Sequence, residues 1–96
     1  MFARTSTWSG SPEVLRKWAD NAEDKVRGFV EALPGNAGVM FLIDRDAGTA
    51  LTLTLWSSEE AAIATDRFAD QSRAATIAST GSQLIAEGRY EVVAGA

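Results

Sequence analysis

The sequence contains no cysteine and no histidine. Without thiols there is no disulfide, no thiolate nucleophile and no soft-metal site. Without imidazole the commonest general base and the commonest metal and haem ligand are missing too. A glycine-rich strand-to-helix turn is also lacking, so no dinucleotide cradle is predicted. The cofactor expectation is therefore none: no haem, no transition metal and no flavin. Positive charge is sparse and dispersed, with seven Arg and two Lys scattered among thirteen acids for a net charge of -4. No basic stripe is available to neutralise phosphates, which excludes nucleic acid as an expected partner. No apolar run approaches the length of a membrane span, so no membrane partner is expected and a cytoplasmic location is the default.

What the chain does have is the composition of a small globular protein, 96 residues with 46% hydrophobic and 23% charged. That is one domain, 1-96, with one modest core, a size at which association with a second copy adds useful stability. Phe2 to Trp8 alternates in size and polarity and predicts a first strand. Ser11-Pro12-Glu13 supplies an N-cap, a proline suited to the first helical turn and an acid near the positive end of the helix dipole. Apolar residues then recur at helical spacing through Leu15, Trp18, Ala22, Val26, Phe29 and Leu33 until Pro34-Gly35-Asn36 stops the helix. Val39 to Ile43 and Ala50 to Trp56 read as strands around a hairpin turn at Asp44-Arg45-Asp46-Ala47-Gly48. The two aspartates there serve the turn and are not read as a metal site. Ser57 and Glu60 stand at capping-box spacing and predict a second helix directly after the strand. Its body, Ala61 to about Ser79, is rich in alanine and carries few large apolar residues. Gln83 to Val93 reads as a last extended segment in which Gly88 could form a bulge.

The order is β-α-β-β-α-β, and it predicts an α+β, ferredoxin-like fold: a four-stranded antiparallel sheet with two helices on one face. In the third strand Leu51, Leu53 and Leu55 share one face and Thr52, Thr54 and Trp56 the other. The second strand is apolar almost throughout. A sheet covered by helices on one side should be polar on its free side, and this one is not, so a second cover is needed. A second copy of the chain is the simplest, making a homodimer the expected partner.

Four segments carry a resemblance: Ser9-Gly10-Ser11-Pro12-Glu13, Asp44-Arg45-Asp46-Ala47-Gly48, Leu53-Thr54-Leu55-Trp56-Ser57-Ser58-Glu59-Glu60-Ala61 and Arg89-Tyr90-Glu91-Val92. The chain resembles the dimeric α/β-barrel superfamily, specifically the small antibiotic biosynthesis monooxygenase-like domains, over essentially its whole length. The resemblance implies two ferredoxin-like protomers packed sheet to sheet, each with a cavity between its own sheet and helices. It implies, as an activity, cofactor-independent oxygenation of a small aromatic or polyketide-like compound. The tryptophan and histidine of the haem-degrading branch would fall near Thr65 and Ala75, and its asparagine near Ala3, so that branch is disfavoured.

A site for such a compound needs aromatic and apolar walls with a few polar groups. Trp56, Phe41, Phe68, Arg73, Arg4 and Tyr90 are the candidates, with Arg73 as partner for a negative or carbonyl group. A small apolar or aromatic ligand is the expected small-molecule partner, and catalytic residues are unassigned. The alanines of the second helix hint at space: if Ala61, Thr65, Ala69 and Ala75 face a floor of Ala3, Thr5 and Thr7, room is left between small side chains, the alternative being that the helix lies closer to the sheet. Three readings stay open at this point: a monooxygenase-like or isomerase-like enzyme, a non-catalytic binding module using the same cavity, and a structural dimer whose interior is filled.

Overall fold

A computed structural model describes residues 1–95; Ala96, at the end of the expected domain, lies outside the described residues. The elements are β1 (Phe2–Ser9), α1 (Pro12–Asn21), a π turn (Ala22–Val26), α2 (Arg27–Glu31), β2 (Asn36–Asp44), β3 (Thr49–Trp56), α3 (Glu59–Ala64), α4 (Asp66–Thr80) and β4 (Gln83–Glu91). All strand pairings are antiparallel, and the order across the sheet is β2-β3-β1-β4. The helices pack on one face, so the architecture is the ferredoxin-like α+β fold.

Local chemistry explains most boundaries. Ser11 caps α1, its hydroxyl accepting from the amide of Val14 at 3.2 Å, with Pro12 following it. A cap of this kind contributes about 1 kcal/mol, which Ser11→Ala removes. Gly81, at φ 77°, ends α4 in the left-handed conformation that glycine adopts without penalty. At Gly35, φ 82°, a side chain would strike Ala61, and the Gly35 carbonyl accepts from the amide of Ser57 at 2.9 Å. That bond holds Ser57 outside the helix. The cap is Ser58 instead, accepting from the amide of Ala61 at 3.1 Å, one residue later than the capping-box spacing predicts.

Each of the two expected helices is interrupted. In the first, Leu15, Trp18 and Ala22 are buried before the π turn, and Val30 is buried beyond it. In the second, the break falls at Thr65, where the Ala62 carbonyl accepts from the Arg4 guanidinium and from the Thr65 amide three residues on. A buried arginine has taken a place in the helical ladder, and the chain restarts as α4. The irregularity in β4 lies at Leu84 to Ala86, not at Gly88, which pairs regularly with Thr5 beneath the ring of Tyr90.

The interior is divided. One apolar cluster joins Trp8, Leu15, Trp18 and Ala50 with Phe41, Ile43 and Leu84 around it; another joins Val30, Trp56 and Ala62 with Phe2, Val26, Leu33 and Val39. Between them the sheet presents Arg4, Ser6, Thr52 and Thr54 to the helices.

Candidate ligand cavity between sheet and helices

β1 and β3 supply the floor of this middle zone by parity. Trp8 and Trp56 are buried under the helices, so Ser6, Arg4, Thr52 and Thr54, which alternate with outward residues on the same strands, must face the helices as well. Register sets Ser6 directly beside Thr52 and Arg4 beside Thr54. The expected floor of Ala3, Thr5 and Thr7 is corrected: by the same parity those side chains lie on the face away from the helices. What misled the reading was the assumption that small residues line space, when the tryptophans' positions decide the face.

The walls are Trp8, Trp18, Phe41, Trp56, Val26, Val30 and Leu33, with Phe29 and Phe68 edge to face at 6.3 Å where α2 meets α4. The enclosed space is about 40 Å³, room for one or two water molecules. On its helical side lies an open groove of about 410 Å³ between the π turn and α4, sharing Asn21, Val26, Phe29, Ser72 and Thr76 with the cavity. On the β4 side lies a polar cleft of about 310 Å³, sharing Arg4 and Arg73 with it.

Among the described residues those two arginines are the only charged groups lining the inner cavity. Arg4, 7% exposed, stacks over Trp56 at 5.2 Å, donates to the Ala62 carbonyl, and pairs with Asp66 at 2.6 Å. The other Asp66 oxygen accepts from Arg89, also at 2.6 Å. Burial by itself would raise the pKa of Asp66, but the hydrogen bonds and charges of Arg89 and Arg4 outweigh it and hold the carboxyl below its ordinary value. Arg73 donates through Nε to the Ser6 hydroxyl at 2.9 Å and pairs through Nη1 with Glu87 and Asp70. The carboxylates thus stay in the cleft, and the guanidinium groups form the wall between cleft and cavity.

Of the six candidates, the structure brings Trp56, Phe41, Phe68, Arg73 and Arg4 to this one cavity. Tyr90 is not among them. It lies on the opposite face of the sheet, 59% exposed, because β4 parity sends Glu87 and Arg89 toward α4 and leaves Tyr90 over Gly88. Ala69 lines the cavity, whereas Ala75 lines only the outer groove. Ser6, Thr52 and Trp8 line the cavity without having been among the six candidates; their shared parity with Trp56 across the paired strands is the signal that finds them. Among the described residues no group of three or more acidic side chains is placed to hold a metal, and no helix is long and apolar enough to cross a membrane.

A ferredoxin-like sheet with a small aromatic cavity beneath its helices defines the class at the level of fold. No protein-family model and no curated protein matches the sequence. Solved structures do match over nearly the whole chain. One is a Deinococcus radiodurans protein assigned as an antibiotic biosynthesis monooxygenase, 17% identical, with a TM-score of 0.70 over 100% of this chain and 96% of that one. Another is ActVA-Orf6, a monooxygenase of Streptomyces coelicolor in complex with nanaomycin D, 17% identical, TM-score 0.67, covering 98% of this chain and 92% of that one. A third is SnoaB, a cofactor-independent oxygenase of Streptomyces nogalater, 20% identical, TM-score 0.64, covering 98% and 94%. The chain has the fold of the antibiotic biosynthesis monooxygenase-like domains.

Proposed function

We propose that this protein handles a small aromatic or polyketide-like compound in the sheet-helix cavity, in the manner of a cofactor-independent monooxygenase. The observation that carries the reading is the placement of polarity. A core that served packing alone would put Leu51, Leu53 and Leu55 under the helices, yet that position is held by Arg4, Ser6, Thr52 and Thr54. Polar side chains are costly inside a protein unless they are satisfied, and the buried ones here are. Aromatic walls, hydroxyl floor and flanking arginines suit a flat ring system with an ionisable oxygen.

The enclosed volume is far below the several hundred cubic ångströms of a usual ligand site. Entry therefore requires the Phe29-Phe68 pair to part, joining the cavity to the groove behind it. Among the described residues no carboxylate lines the cavity, so the protein's contribution to oxygenation is binding, exclusion of water and stabilisation of a deprotonated ligand by Arg73 and Arg4. The absence of a lining base also supports a second reading, a binder without turnover. Because all three tryptophans line the cavity, titration with a dihydroxynaphthalene should give a saturable change in intrinsic fluorescence. Oxygen uptake above the uncatalysed rate then supports the enzyme, binding without uptake the module. No fluorescence change and no shift in melting temperature would discard both.

The working unit in this proposal is a homodimer. The face away from the helices carries Leu51, Leu53, Leu55, Met40, Leu42 and Tyr90, with Met40 55% and Leu42 43% exposed in the protomer. A contiguous apolar surface of this kind marks an interaction site, and a second identical sheet is its simplest cover.

A further inference from the structure

We infer that Ser6 and Thr52 form a two-hydroxyl cradle for one oxygen atom of the ligand, and that the oxygen it takes is a phenolate or enolate oxygen on an aromatic ring. This rests on the cavity reading above and adds to it the atoms that recognise the ligand. Ser6 and Thr52 are direct cross-strand partners on the cavity floor. Side chains so paired have Cβ atoms about 5 Å apart, close enough for two hydroxyls to converge on one atom.

Both hydroxyls are committed as acceptors and uncommitted as donors. Ser6 Oγ accepts from Arg73 Nε at 2.9 Å, and Thr52 Oγ1 accepts from Trp8 Nε1 at 3.2 Å. Neither oxygen has, among the described residues, an acceptor within reach for its own proton. Thr54 differs: it accepts from Trp56 and passes its proton to the Arg4 carbonyl. A serine or threonine hydroxyl has one proton to give, so the two protons left over at Ser6 and Thr52 belong to whatever enters the cavity. Accepting from an N–H polarises a hydroxyl and strengthens it as a donor, most of all at Ser6, where the N–H carries the guanidinium charge.

The electrostatics favour an anionic oxygen over a neutral one. Of the elements that enclose the cradle, β1 contributes Arg4 and α4 contributes Arg73, while α1, the π turn, α2, β2 and β3 contribute no charged side chain to the cavity lining. β4 sets Glu87 directly across from Ser6, with its carboxylate in the polar cleft and paired with Arg73 Nη1, and Asp66 and Asp70 line the same cleft. Phe41, opposite Thr52 on β2, gives the attached ring a wall to lie against.

The test compares naphthol with naphthalene, which offers the same rings without the oxygen, by tryptophan fluorescence on the wild-type protein and on Ser6→Ala, Thr52→Val and Thr52→Ser. The wild type should bind naphthol about tenfold tighter than naphthalene. Its bound naphthol should ionise at a pH about one unit lower than free naphthol, followed by the absorbance of the anion. Ser6→Ala and Thr52→Val should each erase most of that preference and of that shift while moving naphthalene affinity less than twofold. Thr52→Ser, which keeps both the acceptor for Trp8 and the free proton, should retain them and guards against a folding artefact in Thr52→Val. If both compounds bind but the preference survives loss of either hydroxyl, the cradle is refuted and the cavity reading stands. If neither compound binds the wild type, the cavity reading fails and the cradle with it.

Discussion

The two faces of the sheet invert the usual distribution of polarity. Under the helices, β1 and β3 present Arg4, Ser6, Thr52 and Thr54 between two islands of tryptophan and aliphatic side chains. On the side without helices, the same strands present Leu51, Leu53 and Leu55 beside Ala3 and Thr5. A leucine fully removed from water is worth about 1.5–3 kcal/mol, so the uncovered face holds a large fraction of the available hydrophobic energy in reserve. The covered face spends its volume on hydrogen-bonded polar groups that contribute little net stability. The difference teaches that the protomer's fold and its site compete for one face, a loss that association across the other face, in the proposed homodimer, would make good.

The comparison is broken most severely by charging the open face. Leu53→Asp should convert a dimer into protomers at micromolar concentration, weakening association by about 3 kcal/mol or more because an unpaired carboxylate would be buried between sheets. Sedimentation equilibrium measures this. A dimer that survives the substitution, or a wild type that sediments as a protomer, would remove the leucine face from the argument. The covered face is probed by Ala69→Phe, which drives a phenyl ring into a space of about 40 Å³. Overpacking on that scale costs about 1–3 kcal/mol, read as a lower midpoint in urea, and ligand binding should be lost as well. A variant as stable as the wild type would mean that α4 moves away from the sheet with ease.

The smallest effect concerns acid. Asp66 has its pKa lowered in the folded protein by Arg89 and Arg4, so the folded state holds its proton less tightly than the unfolded chain does. Its contribution is therefore complete above the unfolded-state carboxyl pKa of about 4 and fades as pH falls through the lower folded-state value. Half-exposure of this carboxylate keeps the contribution to a fraction of a surface pair's worth. Urea midpoints taken between neutral pH and pH 3 should fall less steeply for Asp66→Asn than for the wild type. Parallel curves would mean that the two ion pairs around Asp66 do not hold in solution.

The strand and helix order was legible because its signals are local. Ser11-Pro12, the hairpin turn at Asp44 to Gly48 and the Thr80-Gly81 stop each act within a few residues. That both faces of the sheet carry apolar residues was legible too, from a third strand that alternates leucine with threonine and ends in tryptophan. Which side the helices take was not, since alternation fixes that two faces differ and leaves their assignment to tertiary packing. Hence Ala3, Thr5 and Thr7 were expected on the floor and Ser6 and Thr52 were overlooked. Trp56, Phe41, Phe68, Arg4 and Arg73 were found as residue types that suit a pocket, whereas Tyr90 satisfied the same criterion on the wrong face. The break at Thr65 lay beyond reach for another reason: it depends on a bond from Arg4, 58 residues away from Ala62 in the chain.

The π turn at Ala22–Val26 has a mechanical consequence. A π turn is an α-helix with one residue too many, so it stores a single residue of slack in a connection whose two ends are otherwise pinned, by the Ser11 cap at one and the Gly35-Ser57 bond at the other. Removing one residue there, Asp24 for instance, would let the segment close into an unbroken α-helix, with Val30 seven positions after Ala22 and still on the buried face, and with Phe29 still in line with Phe68. The surplus residue is thus length that the helix can give up without turning the aromatic edge beside the groove.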